Sequence, residues 1–560
     1  KEYLELKKGT AIQNSDIFSG IQLGWERYRQ GADIQNTINS IISNYDILHP
    51  EKSVDALLKV YGQLKLIPED QLIQYKKQQV QKIIVACLGL WLEPVAEKDM
   101  VANGDNLNIV STSLKRVDYP LSLESITILG KEYKSGEILP AGINQIDSFK
   151  IVVPEGISSS PYWLNGAYDG VFNVEDRKLI GKAENDPAII FTYNVKVGNE
   201  IFAINRGVVY KETDAVKGEI YTPLAVVPRA IVHADSYNLI YTDSLSKNFP
   251  LLIKSYASDT IAGNVRLFGN RANISSKAYT LNKNGESATL NFTITPPKQN
   301  GTKDIGLNIS GNNENETLGE SAKKIRVISY DHIPRQVVVE DAKLHVVKFD
   351  AMPSTKKVLY IDGAGDLVDE SLKQIGVNIT TIKPEDMNAA LLQQYDVAII
   401  GVRAFNTSKV LADNNAQLME FVNAGGTVIA QYSTNWDMYL EKIGPYNFKI
   451  TRTRVTDENS PVEFLLPEHK VLNNPNKITQ DDFTGWVQER GIYFAGELAP
   501  EYVAPLAFTD PNEQPQNGSL IIAQYGKGTF MYTGLAFFRE LPAGVAGAYR
   551  LMLNMIEYKP

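Results

Sequence analysis

Three short runs decide the fold: Lys-Val-Leu-Tyr-Ile-Asp-Gly-Ala-Gly-Asp at 357–366, Tyr-Asp-Val-Ala-Ile-Ile-Gly-Val-Arg-Ala at 395–404, and Gly-Gly-Thr-Val-Ile-Ala-Gln-Tyr at 425–432. Each is apolar and bounded by glycine or polar residues, as expected of a strand buried on both faces. Helical patterns fill the gaps at 368–375 and 414–423. Strand and helix alternating at this spacing predict a doubly wound parallel sheet of flavodoxin-like type, whose ligands bind beyond the carboxyl ends of the strands. The residues that follow the three strands are therefore candidate ligand contacts: Asp362, Arg403, Asn406, Asn435 and Trp436. Further strands are expected at 462–466, 520–525 and 528–533, the last two joined by a tight turn at Gly526-Lys527-Gly528, with a closing helix at 547–558.

Working back from this α/β domain at 346–560, the chain divides by period. From Ile34 the apolar step is helical, through Ile38, Ile41, Ile42 and Tyr45. His49-Pro50-Glu51 and Pro68-Glu69-Asp70 open two more helices. In the last of them Val80, Ile83, Ile84, Cys87, Leu88 and Trp91 form one face, which predicts a small α-helical bundle over 20–98. Period two then takes over. Short strands separated by turn residues predict two Ig-like β-sandwiches, at 101–222 and 223–345. Gly198-Asn199 and Asn284-Gly285 read as hairpin turns, and 300–320, rich in Asn, Gly and Glu, reads as a loop. Residues 1–19 read as the remnant edge of an upstream domain and a connector.

A chain of 560 residues is too long for one core. Its net charge of −9 argues against a nucleic-acid partner, since phosphate binding needs a positive surface. The longest apolar run, 83–92, is half of what a membrane span requires, and no signal peptide is visible. One cysteine, Cys87, forms no internal disulfide, and the five histidines (His49, His233, His332, His345 and His469) are scattered.

The chemical motifs are sparse. Gly363-Ala364-Gly365 lacks the third glycine of a dinucleotide fingerprint, because Val368 stands in its place. No G-x-S-x-G elbow occurs, and Ser433 lies in Tyr-Ser-Thr-Asn. Cys87 lies on an apolar helix face. His49-Pro50-Glu51 echoes a zinc hydrolase motif, but Lys52 replaces its final acid, so a helix start is expected there. Neither a catalytic residue nor a metal ligand is assigned. The densest polar–aromatic stretch is Asp-Phe-Thr-Gly-Trp-Val-Gln-Glu-Arg-Gly at 482–491, and 535–544 is similar. Trp486, Glu489 and Arg490, with Tyr493 close by, form either part of a polar or sugar ligand site or an ion-paired loop under the sheet edge.

These last segments carry a family resemblance. The run at 482–491, Tyr525-Gly-Lys-Gly528, the stretch from Tyr532 to Gly544, and Gly547-Ala-Tyr-Arg550 resemble the C-terminal region of large Bacteroidetes-type PIG-L/LmbE-like N-acetylglucosaminyl deacetylases. Phe18-Ser-Gly-Ile21, Trp25-Glu-Arg27 and Pro161-Tyr-Trp-Leu164 are similar to the same proteins. The resemblance implies a zinc-dependent deacetylase domain upstream of this chain, a periplasmic or secreted location, and a C-terminal domain like the class I glutamine amidotransferases. The family's Ala-His-Pro-Asp-Asp-Glu motif has no match here, and no cysteine occupies a strand-to-helix elbow. Three functions follow as expectations: a non-catalytic accessory portion of a carbohydrate N-deacetylase, a stand-alone glycan or small-ligand binding module, or a structural region that forms homo-oligomers.

Overall fold

The structure is a computed structural model that describes residues 22, 24–166, 168, 170–269, 272–311 and 319–559. The expected strand at 1–8 and its connector lie outside the described residues. The chain is multidomain and mostly β, with several sheets arranged as sandwiches.

Three helices come first: α1 (Gly31–Ser43), α2 (Val54–Lys65) and α3 (Gln71–Cys87). Asp70 caps α3 by accepting the Ile73 N–H at 2.8 Å. Gly89, at φ 54°, turns the chain, and Leu90–Ala96 emerges as a strand. The expected bundle over 20–98 is corrected here: Trp91 lies on that strand, not on a helix face. Nor do the helices form a core of their own. Ile34, Leu57, Leu64 and Ile84 share one core with Phe191, Tyr193 and Phe202 of the first sandwich. Three short helices with one apolar stripe each bury too little against one another, so they pack on a sheet instead.

That sandwich joins a five-stranded sheet, ordered Gly218–Pro223, Val209–Asp214, Leu90–Ala96, Asn106–Lys115 and Gln145–Val152, to a four-stranded one. The hairpin at Gly198-Asn199 is present, with Val197 opposite Glu200. The second sandwich sets Ala230–His233, Lys247–Ser255 and Ser287–Ile294 against a sheet built on Gly301–Gly311 and Lys343–Lys348. Two expectations fail in it. Residues 301–311 form an interior strand, not a loop, because Ile305 and Leu307 alternate inward beneath the polar composition. Asn284-Gly285 is not a hairpin: Ala272–Leu281 and Ser287–Ile294 belong to opposite sheets, and the turn crosses the sandwich.

The C-terminal domain holds one six-stranded sheet. Its strands are β1 (Lys357–Ile361), β2 (Asn378–Ile382), β3 (Val397–Ile400), β4 (Thr427–Gln431), β5 (Leu520–Tyr525) and β6 (Gly528–Thr533). The order is β2-β1-β3-β4-β6-β5, parallel except for the antiparallel edge β5. Val358 and Tyr360 face a core shared with the buried terminal helix Ala546–Glu557, while Leu359 and Ile361 face one shared with Leu418 and Phe421. Both faces are thus covered, as parallel sheets require. The expected strand at 462–466 is confined to Val462–Phe464 and pairs with Leu506–Phe508 outside this sheet. A short helix, Val368–Gln374, ties the domain to the second sandwich, where Gln374 accepts the Ile240 N–H at 3.2 Å and the Lys247 ammonium at 2.5 Å.

Candidate functional site at the carboxyl end of the sheet

The crevice where strand order reverses, between β1 and β3, is closed. Ala364 N–H donates to the Val402 carbonyl at 2.8 Å, and Gly401 N–H to that of Ile361 at 2.8 Å. A Cβ on Gly363 would sit 2.2 Å from the Val402 oxygen, so this glycine serves the contact of two loops rather than a phosphate. Asp366 locks the loops together by accepting the Tyr360 hydroxyl at 2.6 Å and the Val402 N–H at 3.2 Å. Asp362 stands on this rim, where burial and the charges of Asp369 and Asp366 raise its pKa above the ordinary range. Lys383 and Lys373 oppose that rise.

One step along the sheet the surface changes character. β3 passes through Gly401-Val402-Arg403 directly into a helical turn, Ala404–Thr407. Arg403 is exposed and left-handed, with φ 56° and ψ 19°, and its N–H donates to the Tyr432 carbonyl at 2.8 Å. Tyr432, which follows β4, stacks on Tyr493 with ring centroids 5.7 Å apart and packs on Phe538 at 5.2 Å. Tyr493 meets the edge of Trp436 at 5.4 Å. Phe538, Tyr432, Tyr493 and Trp436 therefore form a continuous aromatic row. Arg539 lies 4.9 Å over Phe538 at one end, and Arg452 5.1 Å over Trp436 at the other. Burial raises the Tyr432 hydroxyl, and Arg403 and Arg539 oppose that rise. Glu489 accepts from Arg539 Nε at 2.9 Å. Trp436 is 43% exposed, so the row is open to a ligand at its Arg452 end.

The loop bearing Trp436 is held from beneath. Asn406 accepts the Thr434 N–H at 2.9 Å and donates to the Trp436 carbonyl at 2.9 Å. Asn406 is thus a bracket for the row, and Asn435 is exposed at the loop's turn. Among the described residues, four of the seven non-glycine residues with positive φ, Arg403, Asp437, Gln488 and Tyr493, belong to the segments that build this face. Each such conformation costs about 1–2 kcal/mol and persists where the surroundings impose it, often at functional sites.

Two expected contacts are corrected. Trp486 is buried, with its indole N–H on the Asp482 carbonyl at 2.9 Å. Arg490 is buried too, donating to the carbonyls of Ser460 at 2.8 Å and Phe483 at 2.5 Å, among the rings of Phe483, Trp486 and Phe508. A guanidinium has enough donors to satisfy several carbonyls at once, and its flat faces pack on rings, which suits it to this interior. Glu540 beside them is also buried and accepts the Val487 N–H at 3.0 Å; burial pushes its carboxyl up to about 8. Asp482 pairs with Arg550 and closes a capping box with Thr479. Most of the 482–491 run is therefore scaffold, and of Trp486, Glu489 and Arg490, Glu489 reaches the open face. Tyr493 was expected in such a site beside Trp486, whereas Tyr432, Arg452, Phe538 and Arg539 were not singled out as contacts from sequence. The second polar–aromatic run, which holds Phe538 and Arg539, was the available signal.

Elsewhere, His49 pairs with Glu51 at a helix start, and His469 caps Lys470–Asn473 while stacking on Tyr558. Cys87 is buried. Among the described residues, no three His, Cys, Asp or Glu side chains are grouped to hold a metal ion. No described helix is long and apolar enough to cross a membrane.

No family model and no curated protein matches the chain. Among solved structures, a β-galactosidase from Rahnella sp. R3 is similar at 15% identity over 36% of this chain and 31% of its own, with a TM-score of 0.23. Red sea bream transglutaminase is similar at 10% identity over 50% of this chain and 34% of its own, with a TM-score of 0.23. The CARDB domain of PF1109 from Pyrococcus furiosus is similar at 16% identity over 21% of this chain and 92% of its own, with a TM-score of 0.14. At these scores the likenesses say nothing about function. The chain spans about a third of the first two proteins.

Proposed function

We propose that this chain is a non-catalytic, glycan-positioning portion of a zinc-dependent carbohydrate N-deacetylase, and that the aromatic row of its C-terminal domain is the glycan contact. The strand order β2-β1-β3-β4 supports a flavodoxin-like, amidotransferase-related reading of that domain. The observation that carries the proposal is Arg403. It occupies the tight strand-to-helix turn where related sheets present a nucleophile, in the left-handed conformation such a turn demands. A guanidinium stays protonated and has no lone pair to attack with, so the position binds instead of reacting. Beside it, exposed Trp436 and half-buried Tyr493 offer the flat apolar faces on which sugar rings stack, with hydrogen-bonding groups at the margins.

Isothermal titration of the full chain with N-acetylglucosamine oligomers and acidic oligosaccharides tests this reading. Binding that is lost in Trp436→Ala supports it. Equal affinity in wild type and variant, or no glycan binding at all, overturns it.

A further inference from the structure

Resting on that reading, we infer that the glycan is acidic: a sugar carrying a ring-borne oxyanion, with the anion on Arg403 and the ring on Trp436 and Tyr493. The argument is one of charge balance. The chain as a whole is acidic, at −9, yet three guanidinium groups serve this one face: Arg403, Arg452 and Arg539. Arg539 is neutralised by Glu489 at 2.9 Å. Among the described residues, neither Arg403 nor Arg452 has a carboxylate within ion-pair distance, although Asp437 lies next to Trp436 in the chain. Both are exposed. A neutral sugar needs hydrogen-bonding groups but leaves such charge uncompensated; a carboxylate or sulfate accepts the guanidinium fork bidentately.

The fold fixes Arg403 for this task. Its backbone, left-handed at φ 56°, is tied to the end of β4 through the Tyr432 carbonyl. On the neighbouring rim Asp362 lies near Asp369 and Asp366, with Lys383 and Lys373 opposing their charge and Asp369 paired to Lys373 at 2.9 Å. The β1 rim therefore carries charges of both signs, whereas the ends of β3 and β4 bring Arg403 beside the aromatic row.

The test is isothermal titration of the full chain with three probes: tetragalacturonate, a sulfated disaccharide, and neutral chitotetraose. The expected result is tighter binding of an acidic probe, weakened about tenfold or more in Arg403→Ala. Arg403→Lys retains the charge without the fork and recovers part of the affinity. Raising sodium chloride from about 0.05 to 0.5 M weakens the acidic probe and leaves any neutral binding in place. The carboxylated and sulfated probes tell which anion is taken. Equal binding of chitotetraose and the acidic probes, unaffected by Arg403→Ala, overturns the inference while leaving glycan binding intact. Failure of all three probes overturns both. Unchanged melting of the variants shows that lost binding is not lost folding.

Discussion

Replacing Arg403 by glycine and, separately, by alanine tests whether this position is held against its own preference. Both changes remove the guanidinium, which is exposed and contributes little packing. They differ in what they do to the backbone. At φ 56° a residue with a Cβ bears about 1–2 kcal/mol of steric cost, which alanine retains and glycine does not. Glycine in turn loses about 0.5–1 kcal/mol more chain entropy on folding. The glycine variant should therefore be more stable than the alanine variant by up to about 1.5 kcal/mol, whereas in ordinary helix or strand backbone it would be less stable by about 0.5–1 kcal/mol. The sign is the discriminating quantity. Hydrogen exchange of the slowest amides of β3 and β4 reports it for this domain alone, which a melting curve of a multidomain chain does not. If the alanine variant is the more protected, Arg403 is not left-handed in solution and the case for an imposed site geometry fails. Both variants should lose binding of an acidic glycan alike.

Three further outcomes are expected. Gly363→Ala places a methyl 2.2 Å from the Val402 carbonyl oxygen, so it should destabilise the C-terminal domain by about 1–3 kcal/mol; unchanged exchange of β1 and β3 would show that the two loops are not in contact. Asn406→Ala removes the three bonds that bracket the Trp436 loop and should weaken glycan binding more than it changes melting; the reverse pattern would make Asn406 a core residue, not a bracket for the loop. Glu540 is held protonated up to about 8 against an ordinary 4.5. Between those values the folded state retains a proton that the unfolded chain has released, so Glu540's contribution to stability is full below about 4.5 and is lost as pH rises toward 8. Glu540→Gln should flatten that slope in hydrogen exchange followed from pH 5 to 8.5, and an unchanged slope would mean the carboxyl is ionised in the fold.

Much of the architecture is local in origin and was legible in the chain. The apolar runs of β1, β3 and β4 are strands because they are buried on both faces, and the Gly198-Asn199 turn is specified by a backbone only such residues adopt readily. Arg403 and Trp436 lie just past the carboxyl ends of β3 and β4, a placement the sequence order itself specifies. The sequence by itself could not say which strands pair. Asn284-Gly285 has the same local chemistry as a hairpin turn but joins opposite sheets, because pairing is decided by partners far along the chain. β2, an edge strand of mixed polarity, and the strand at 301–311 carry weak signals for the same reason. Trp486 and Arg490 read like a ligand site because a satisfied buried guanidinium uses the same residue types as an exposed one. The aromatic row itself draws on segments near 432, 493 and 538. No periodicity links them; the packing of the loops at the end of the sheet brings them together, so the row is decided by tertiary structure.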